Sequence, residues 1–309
     1  MLHIQRHIPL APYSTFQIGG PADFFVGVTT AGELTEALEY AKENNFPVFV
    51  FSGGSNILFA DRGFRGLVVK LVNKTIHLTG NQIFVDAGAE LMEVVHLACE
   101  HELSGMERLA GIPGSLGGAI RGNAGAFGME IKGVVSTVKA YDRKTGQLRE
   151  FHRDDCGFSY RSSRFKESPE LVILSAVLTL QSGNREELLQ VFNDTLAKRE
   201  AKHPQKAKCA GSFFMNPKVE NTELLKEFER DNGMSTRDGK LPAGWLIDHV
   251  GLRGKKIGGA QISNQHPNYF VNTGDARAED VVMLASIAKE RVRAELGVQL
   301  REEVQYVGF

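Results

Sequence analysis

The chain has 309 residues, a formal net charge of −1, 42% hydrophobic and 24% charged residues, and 33 glycines. That length exceeds one ordinary hydrophobic core and predicts two or three domains. The balanced charge gives no support to a general nucleic-acid or membrane-surface role. Cys99, Cys156 and Cys209 are widely spaced, odd in number and form no CxxC pair. They read as buried free thiols in a reducing compartment, not as a disulfide framework or zinc site. "MLHIQRHIPLAPYSTF" lacks the apolar core of a signal peptide, and the longest uncharged run, 44–60, is broken by Pro47, glycines and asparagines. A cytoplasmic location is expected.

In chain order, "ADFFVGV" (22–28) predicts a strand. A helix follows, with Thr30 and Glu33 at capping-box spacing and Leu34, Ala37, Leu38 and Ala41 on one stripe. "PVFVF" (47–51) is a short apolar strand running into "SGGSN". Strands are predicted at 66–72 and 82–87, a helix at 90–101, and strands at 134–141 and 147–151 around the turn "DRKTG". "LVILSAVLTL" (171–180) predicts a buried strand, and 185–200 a helix with Leu188, Leu189, Phe192 and Leu196 on one side. "KREAKHPQKAK" (198–208) is the candidate linker. Beyond it come a short helix at 243–249, strands at 260–263 and 269–272, and a helix at 279–296 ended by Gly297. Strands and helices mix without steady alternation, which favours α+β.

"GIPGSLGGAIRGNAGAFG" (111–128) holds seven glycines and one charge, Arg121. Glycine loses more backbone freedom on folding than any other residue, so no comfortable helix or strand is expected there. No two of these glycines stand two apart, so the dinucleotide fingerprint fails, and the P-loop, GxSxG and HExxH motifs are absent from the chain. "SGGSN" (52–56) and the long run each follow an apolar element and carry Ser52, Ser55, Asn56, Ser115 and Asn123. Their backbone N–H groups can converge on a phosphate, and a flat ligand with a pyrophosphate is the natural occupant. A surface turn is the plainer alternative.

Three further segments carry candidate chemistry. If "FSYRSSRFK" (158–166) is extended, Arg161 and Arg164 point to opposite faces, and by itself it reads as a surface strand. In an extended "CAGSFFMNP" (209–217), Ser212 and Asn216 share a face while Phe213 and Met215 take the other. The tail "GVQLREEVQYVGF" (297–309) puts Glu302 and Glu303 in an apolar strand pattern, one expected solvated and the other buried and inclined to hold its proton. Trp245, at helical spacing with Asp248 and His249, reads as a core anchor.

These segments, in this order and spacing, resemble the UDP-N-acetylenolpyruvoylglucosamine reductase family. The likeness runs from "YSTFQIGGPADFF" (13–25) through "GGSNIL", the glycine-rich run, "YRSSRF", "AGSFFMNP" and "KIGGAQIS" to "LREEVQYVG" (300–308). It implies an α+β fold: a two-lobed FAD-binding domain of the vanillyl-alcohol-oxidase (PCMH) type over 1–184, with lobes of about 1–70 and 71–184. A substrate-binding domain with a catalytic tail would follow over 185–309. It implies non-covalent FAD held by Gly53, Gly54, Ser55, Asn56, Ile57, Gly111, Gly114, Ser115, Gly118, Asn123, Ala124 and Gly125. NADPH is the implied electron donor, a UDP-sugar enolpyruvyl ether the substrate, and no metal is required. Catalysis falls on Arg161, Ser212 and Glu303, with Tyr160, Arg161 and Asn216 at the substrate. The family's L-x-x-E-V spacing from Leu300 selects Glu303 over Glu302. Met215 departs from a usual lysine, and the passage from 171–180 into 185–200 leaves no room for the tyrosine-bearing loop of some members. A monomer without nucleic-acid or membrane partners is expected. The alternatives are an FAD oxidase of the same fold, disfavoured by Ser55-Asn56 where such enzymes carry a flavin-linking histidine, and a non-catalytic flavin or nucleotide module.

Overall fold

The computed structural model describes every residue except Met1, Gln205 and Arg237. Gln205 falls in the expected linker, so that part of it lies outside the described residues. The chain divides into two compact units, each drawn from several segments. Unit 1 comprises Met1–Ile8, Ala22–Gly54 and Arg65–Ala201; unit 2 comprises Pro9–Pro21, Ser55–Phe64 and Lys202–Phe309.

In unit 1, helix α1 (Ala31–Glu43) begins as its capping residues predict. The Thr30 hydroxyl accepts the Glu33 N–H at 3.1 Å, the Glu33 carboxylate accepts the Thr29 N–H, and Leu34, Ala37 and Ala41 are buried. Strands Gln5–Pro9, Pro21–Val28, Phe64–Leu71 and Val48–Phe51 form one sheet in that order, the last two parallel. A second, antiparallel sheet runs Gln147–His152, Val135–Asp142, Leu171–Thr179, Gln82–Asp86, Ile76–Thr79. Helix α2 (Leu91–Glu100) buries Leu91, Val94, Val95, Ala98 and Cys99. All three cysteines are free and buried, and burial pushes the Cys99 and Cys156 thiols up to about 11, leaving them protonated near neutrality.

Two expectations for this unit are corrected. The glycine-rich run contains a short helix, α3 (Leu116–Arg121): the Ser115 hydroxyl caps it by accepting the Gly118 N–H, and Leu116, Ala119 and Ile120 are buried. Cap and burial together offset the entropic cost of its glycines. Residues 158–166 are no strand but a tight turn leading into helix α4 (Arg164–Glu167). Helix α5 (Arg185–Lys202) packs Leu188 and Phe192 into the first core, and the expected linker is helical as far as Lys202.

Unit 2 is built on an antiparallel sheet ordered Lys208–Ser212, Tyr269–Asn272, Ala260–Ile262, Lys256–Ile257. Helix α6 (Thr222–Asn232) was hidden by its dense charge, although Asn221 caps it through the N–H groups of Glu223 and Leu224, and Leu224 and Phe228 are buried. Helices α7 (Ala243–His249) and α8 (Ala278–Leu296) stand where expected, α8 ending at Gly297 with φ +67°. Two early segments join this unit through side chains. Asp61 accepts the Ala278 and Glu279 N–H groups at 2.8 and 3.1 Å, an anion at a helix N-terminus, while Thr15 donates to the Cys209 carbonyl at 2.7 Å. Ile57–Phe59 pairs in parallel with Gln305–Val307. Among the described residues, no helix is long and apolar enough to cross a membrane, and no cluster of side chains could hold a metal ion.

Candidate active site

In unit 1 the two glycine-rich segments meet. Ser52 and Ser115 share a short hydrogen bond between their hydroxyls. A Cβ on Gly53 would lie 2.7 Å from the Ser115 nitrogen and 3.0 Å from the Gly114 Cα. Gly114, at φ +111°, and Gly54, at +67°, hold conformations that L side chains rarely adopt. Gly53→Ala should therefore part the two loops, since backbone cannot yield as a flexible side chain does. Overpacking of this kind costs about 1–3 kcal/mol, and if it falls wholly on the expected flavin it weakens binding roughly 5- to 150-fold. Titration of the apoprotein with FAD measures it, and wild-type affinity would refute the contact.

Not every glycine answers to a ligand. Gly117 is required by Ala87, whose Cβ would be 2.8 Å away, and Gly111 admits Arg199, whose Cδ would also be 2.8 Å away. Arg199 is a buried arginine on α5 that no motif announced. At Gly118 and Gly122, by contrast, an added Cβ would meet nothing closer than 3.5 Å, so packing does not demand glycine there.

The run's second half is fastened to the Tyr160–Arg161 turn. Asn123 is fully buried, donating from Nδ2 to the Ser159 carbonyl at 2.9 Å and accepting the Lys132 N–H, so its carboxamide is committed to holding the loop. Ser163 donates to the Arg121 carbonyl at 2.8 Å, and Arg161 donates from Nη2 to the Gly125 carbonyl at 3.1 Å. Ser159 and Ser162 exchange backbone hydrogen bonds across the turn, which places Arg161 at φ +56°. Its guanidinium lies 5.4 Å from the Tyr160 ring centroid. Arg161 is half-buried and Arg164 exposed. Because the chain turns here and enters α4, the alternation of an extended strand does not set the directions of Arg161 and Arg164.

In unit 2 the segment after Ser212 does not alternate as expected, because Phe213 and Phe214 are both 1% exposed. Phe213 stacks on Phe270 with centroids 4.4 Å apart and meets Phe214 edge to face. Asn268, another residue without a sequence signal, accepts the Phe214 N–H and donates to the Phe214 carbonyl, at 2.9 and 2.8 Å. Ser212 itself is half-buried and pairs with Tyr269 in the sheet. Phe213→Ala should destabilise the protein by about 3–5 kcal/mol, read from urea unfolding, and a loss near zero would show that the stack carries no weight.

The tail lies directly on this segment. The Glu303 N–H donates to the Phe213 carbonyl at 2.8 Å, the Met215 N–H to the Arg301 carbonyl at 3.0 Å, and Phe214 bridges Glu302 antiparallel. Asn56 donates from Nδ2 to the Glu303 carbonyl at 3.0 Å, and the Gln305 N–H donates to the Asn56 carbonyl. Glu303 is thus bonded through its own backbone to Phe213, the residue after Ser212. Both tail glutamates are half-buried, where one was expected solvated and one buried. The Asn216 Oδ1 accepts the Ala243 N–H at the start of α7, at 3.0 Å.

The donor set of the glycine-rich run suits an anionic dinucleotide. Residues 111–125 contain no carboxylate and one cation, Arg121, and the positions of Gly118 and Gly122 are left open. Comparisons with known proteins agree. An FAD-binding domain matches residues 22–151, and the C-terminal domain of UDP-N-acetylenolpyruvoylglucosamine reductase matches 203–307. The reductases of Solibacter usitatus and Carboxydothermus hydrogenoformans are 37% and 39% identical over 99% and 97% of this chain, and 97% and 92% of their own lengths. The crystal structure of the Thermus caldophilus enzyme aligns with a TM-score of 0.79 at 31% identity, covering 99% of this chain and all of that one. The chain belongs to the UDP-N-acetylenolpyruvoylglucosamine reductase family.

Proposed function

We propose that Arg161, Ser212 and Glu303 carry the substrate half of this family's reaction, the FAD-dependent, NADPH-driven reduction of UDP-N-acetylglucosamine enolpyruvate to UDP-N-acetylmuramate for peptidoglycan precursor synthesis. The observation that carries the proposal is the Glu303 N–H on the Phe213 carbonyl, which fixes one candidate acid beside the segment holding the other. FAD would be held by Gly53, Gly54, Ser55, Asn56 and Ile57, and by Gly111, Gly114, Ser115, Gly118, Ala124 and Gly125, with Asn123 shaping the loop from within. When bound, it supplies the hydride that reaches the methylene carbon of the enolpyruvyl ether.

The protein's own side chains then deal with charge and protons. Hydride addition pushes negative charge onto the substrate carboxylate, and an enolate-like dianion needs fixed positive partners. Arg161, its guanidinium oriented by the Gly125 carbonyl, offers a permanent cation to those oxygens. Glu303, as a carboxylic acid, donates a hydrogen bond to them. Ser212 gives its proton to the carbon bearing the ether oxygen. Serine is a weak acid and serves because the dianion is a strong base. Among the described residues, no hydrogen bond within the protein engages the Ser212 hydroxyl, which leaves it available. Tyr160 and Asn216 complete the substrate contacts. The protein works in the cytoplasm as a monomer, with the UDP-sugar and NADPH as its partners and neither nucleic acid nor membrane.

The purified protein should be yellow, should release its flavin on denaturation and should bleach with NADPH. Flavin that stays attached after denaturation would favour a covalent oxidase. Colourless protein that FAD cannot reconstitute would leave only a binding module.

A further inference from the structure

We propose that Lys289 is a positioning residue for this reaction, its ion pair with Glu302 holding the tail so that Glu303 alone is delivered to the substrate. The inference rests on the role proposed above for Glu303. Lys289 lies on α8 beside the fully buried Ala288, and its Nζ stands 2.5 Å from Glu302 Oε1. The two side chains are 34% and 23% exposed, so a lone Glu302 carboxylate would be left half-buried without a counter-charge.

Two adjacent glutamates are ambiguous by periodicity alone; the spacing from Leu300 selects Glu303, and the ion pair gives Glu302 a different task. Leu300 and Glu302 stand two apart in an extended segment and share a face. Leu300 is 1% exposed, so that face is turned to the core. Glu302 therefore carries its charge inward, where Lys289 neutralises it, and Glu303 takes the opposite face. Backbone bonds from Glu303 to Phe213, from Met215 to Arg301 and from Asn56 to Glu303 fix the strand, but they do not neutralise Glu302. Without Lys289, Glu302 must turn toward water, and the strand has to twist to let it. Its neighbour Glu303 then moves with it.

The test uses the flavin-loaded protein and separates its two half-reactions by stopped-flow absorbance. Lys289→Met should slow reoxidation of the reduced flavin by the enolpyruvyl nucleotide about 10- to 100-fold, the scale of an ångström's misplacement. Reduction by NADPH should stay at the wild-type rate, kcat should fall more than KM for the nucleotide changes, and amide exchange over 301–305 should rise. Lys289→Arg, which keeps the charge, should recover most of the loss. Wild-type reoxidation in Lys289→Met, equal slowing of both halves, or no recovery with arginine would overturn the positioning role. Glu303→Gln run alongside separates the two ideas. If it stalls reoxidation while Lys289→Met does not, only the positioning role falls; if it reoxidises normally, the role of Glu303 falls first.

Discussion

Ser212→Ala is expected to lower turnover by about 100- to 10,000-fold, the range for loss of a general acid, while NADPH bleaches the flavin as fast as in the wild type. The asymmetry follows from the chemistry. Only the second half-reaction needs a proton at carbon, and only there would the proposed donor, the Ser212 hydroxyl, act. The substitution should leave the fold intact, because Ser212 contributes its backbone pairing with Tyr269 and its neighbour Phe213 supplies the burial. Stopped-flow absorbance reads both halves in one sample. Equal slowing of the two would remove Ser212 as the proton donor and point to a distorted flavin site.

Arg161 offers a sharper comparison, because its backbone and its side chain pull in opposite directions. A non-glycine residue at φ +56° stores strain, and here the surroundings enforce it: Ser159 and Ser162 close the turn, and the Lys166 ammonium holds the Arg161 carbonyl at 2.8 Å. Arg161→Ala and Arg161→Gly both remove the guanidinium, its bond to Gly125 and its contact with Tyr160. Both should lose about 100-fold or more in reoxidation by the enolpyruvyl nucleotide. They should differ in stability, with Arg161→Gly more stable than Arg161→Ala by about 1 kcal/mol because glycine takes the left-handed conformation freely. Urea unfolding of the two variants measures the difference. Equal stability would show that the turn relaxes, and undiminished reoxidation would take Arg161 out of the mechanism.

The sequence was most legible where local signals and tertiary packing agree. Thr30 with Glu33, and Gly297 at the end of α8, mark helix ends because caps are local chemistry. The glycine-rich run was recognised as a loop that approaches something closely, yet much of what it approaches is protein: Ala87 against Gly117, Arg199 against Gly111, and the two loops against each other. Short-range reasoning failed where distant contacts decide. α3 forms because Ser115 caps it and the core takes Leu116, Ala119 and Ile120. Arg161 turns because Arg121 and Asn123, remote in sequence, hold the segments on either side of it. The discontinuous second unit rests on such contacts as Asp61 reaching α8, which no linear pattern announces. Periodicity alone did not separate Glu302 from Glu303, the family's spacing from Leu300 selected Glu303, and the ion pair of Glu302 with Lys289 on α8 is a contact that no linear pattern announces.

Single-turnover reoxidation is the most direct check on the central claim. The protein is reduced with one equivalent of NADPH in the absence of oxygen, then mixed with the enolpyruvyl UDP-sugar while the flavin spectrum is followed. The spectrum should return to the oxidised form in one phase at least as fast as steady-state turnover, with the UDP-sugar recovered as its saturated lactyl ether. A flavin that stays reduced in the presence of saturating nucleotide would contradict the assignment.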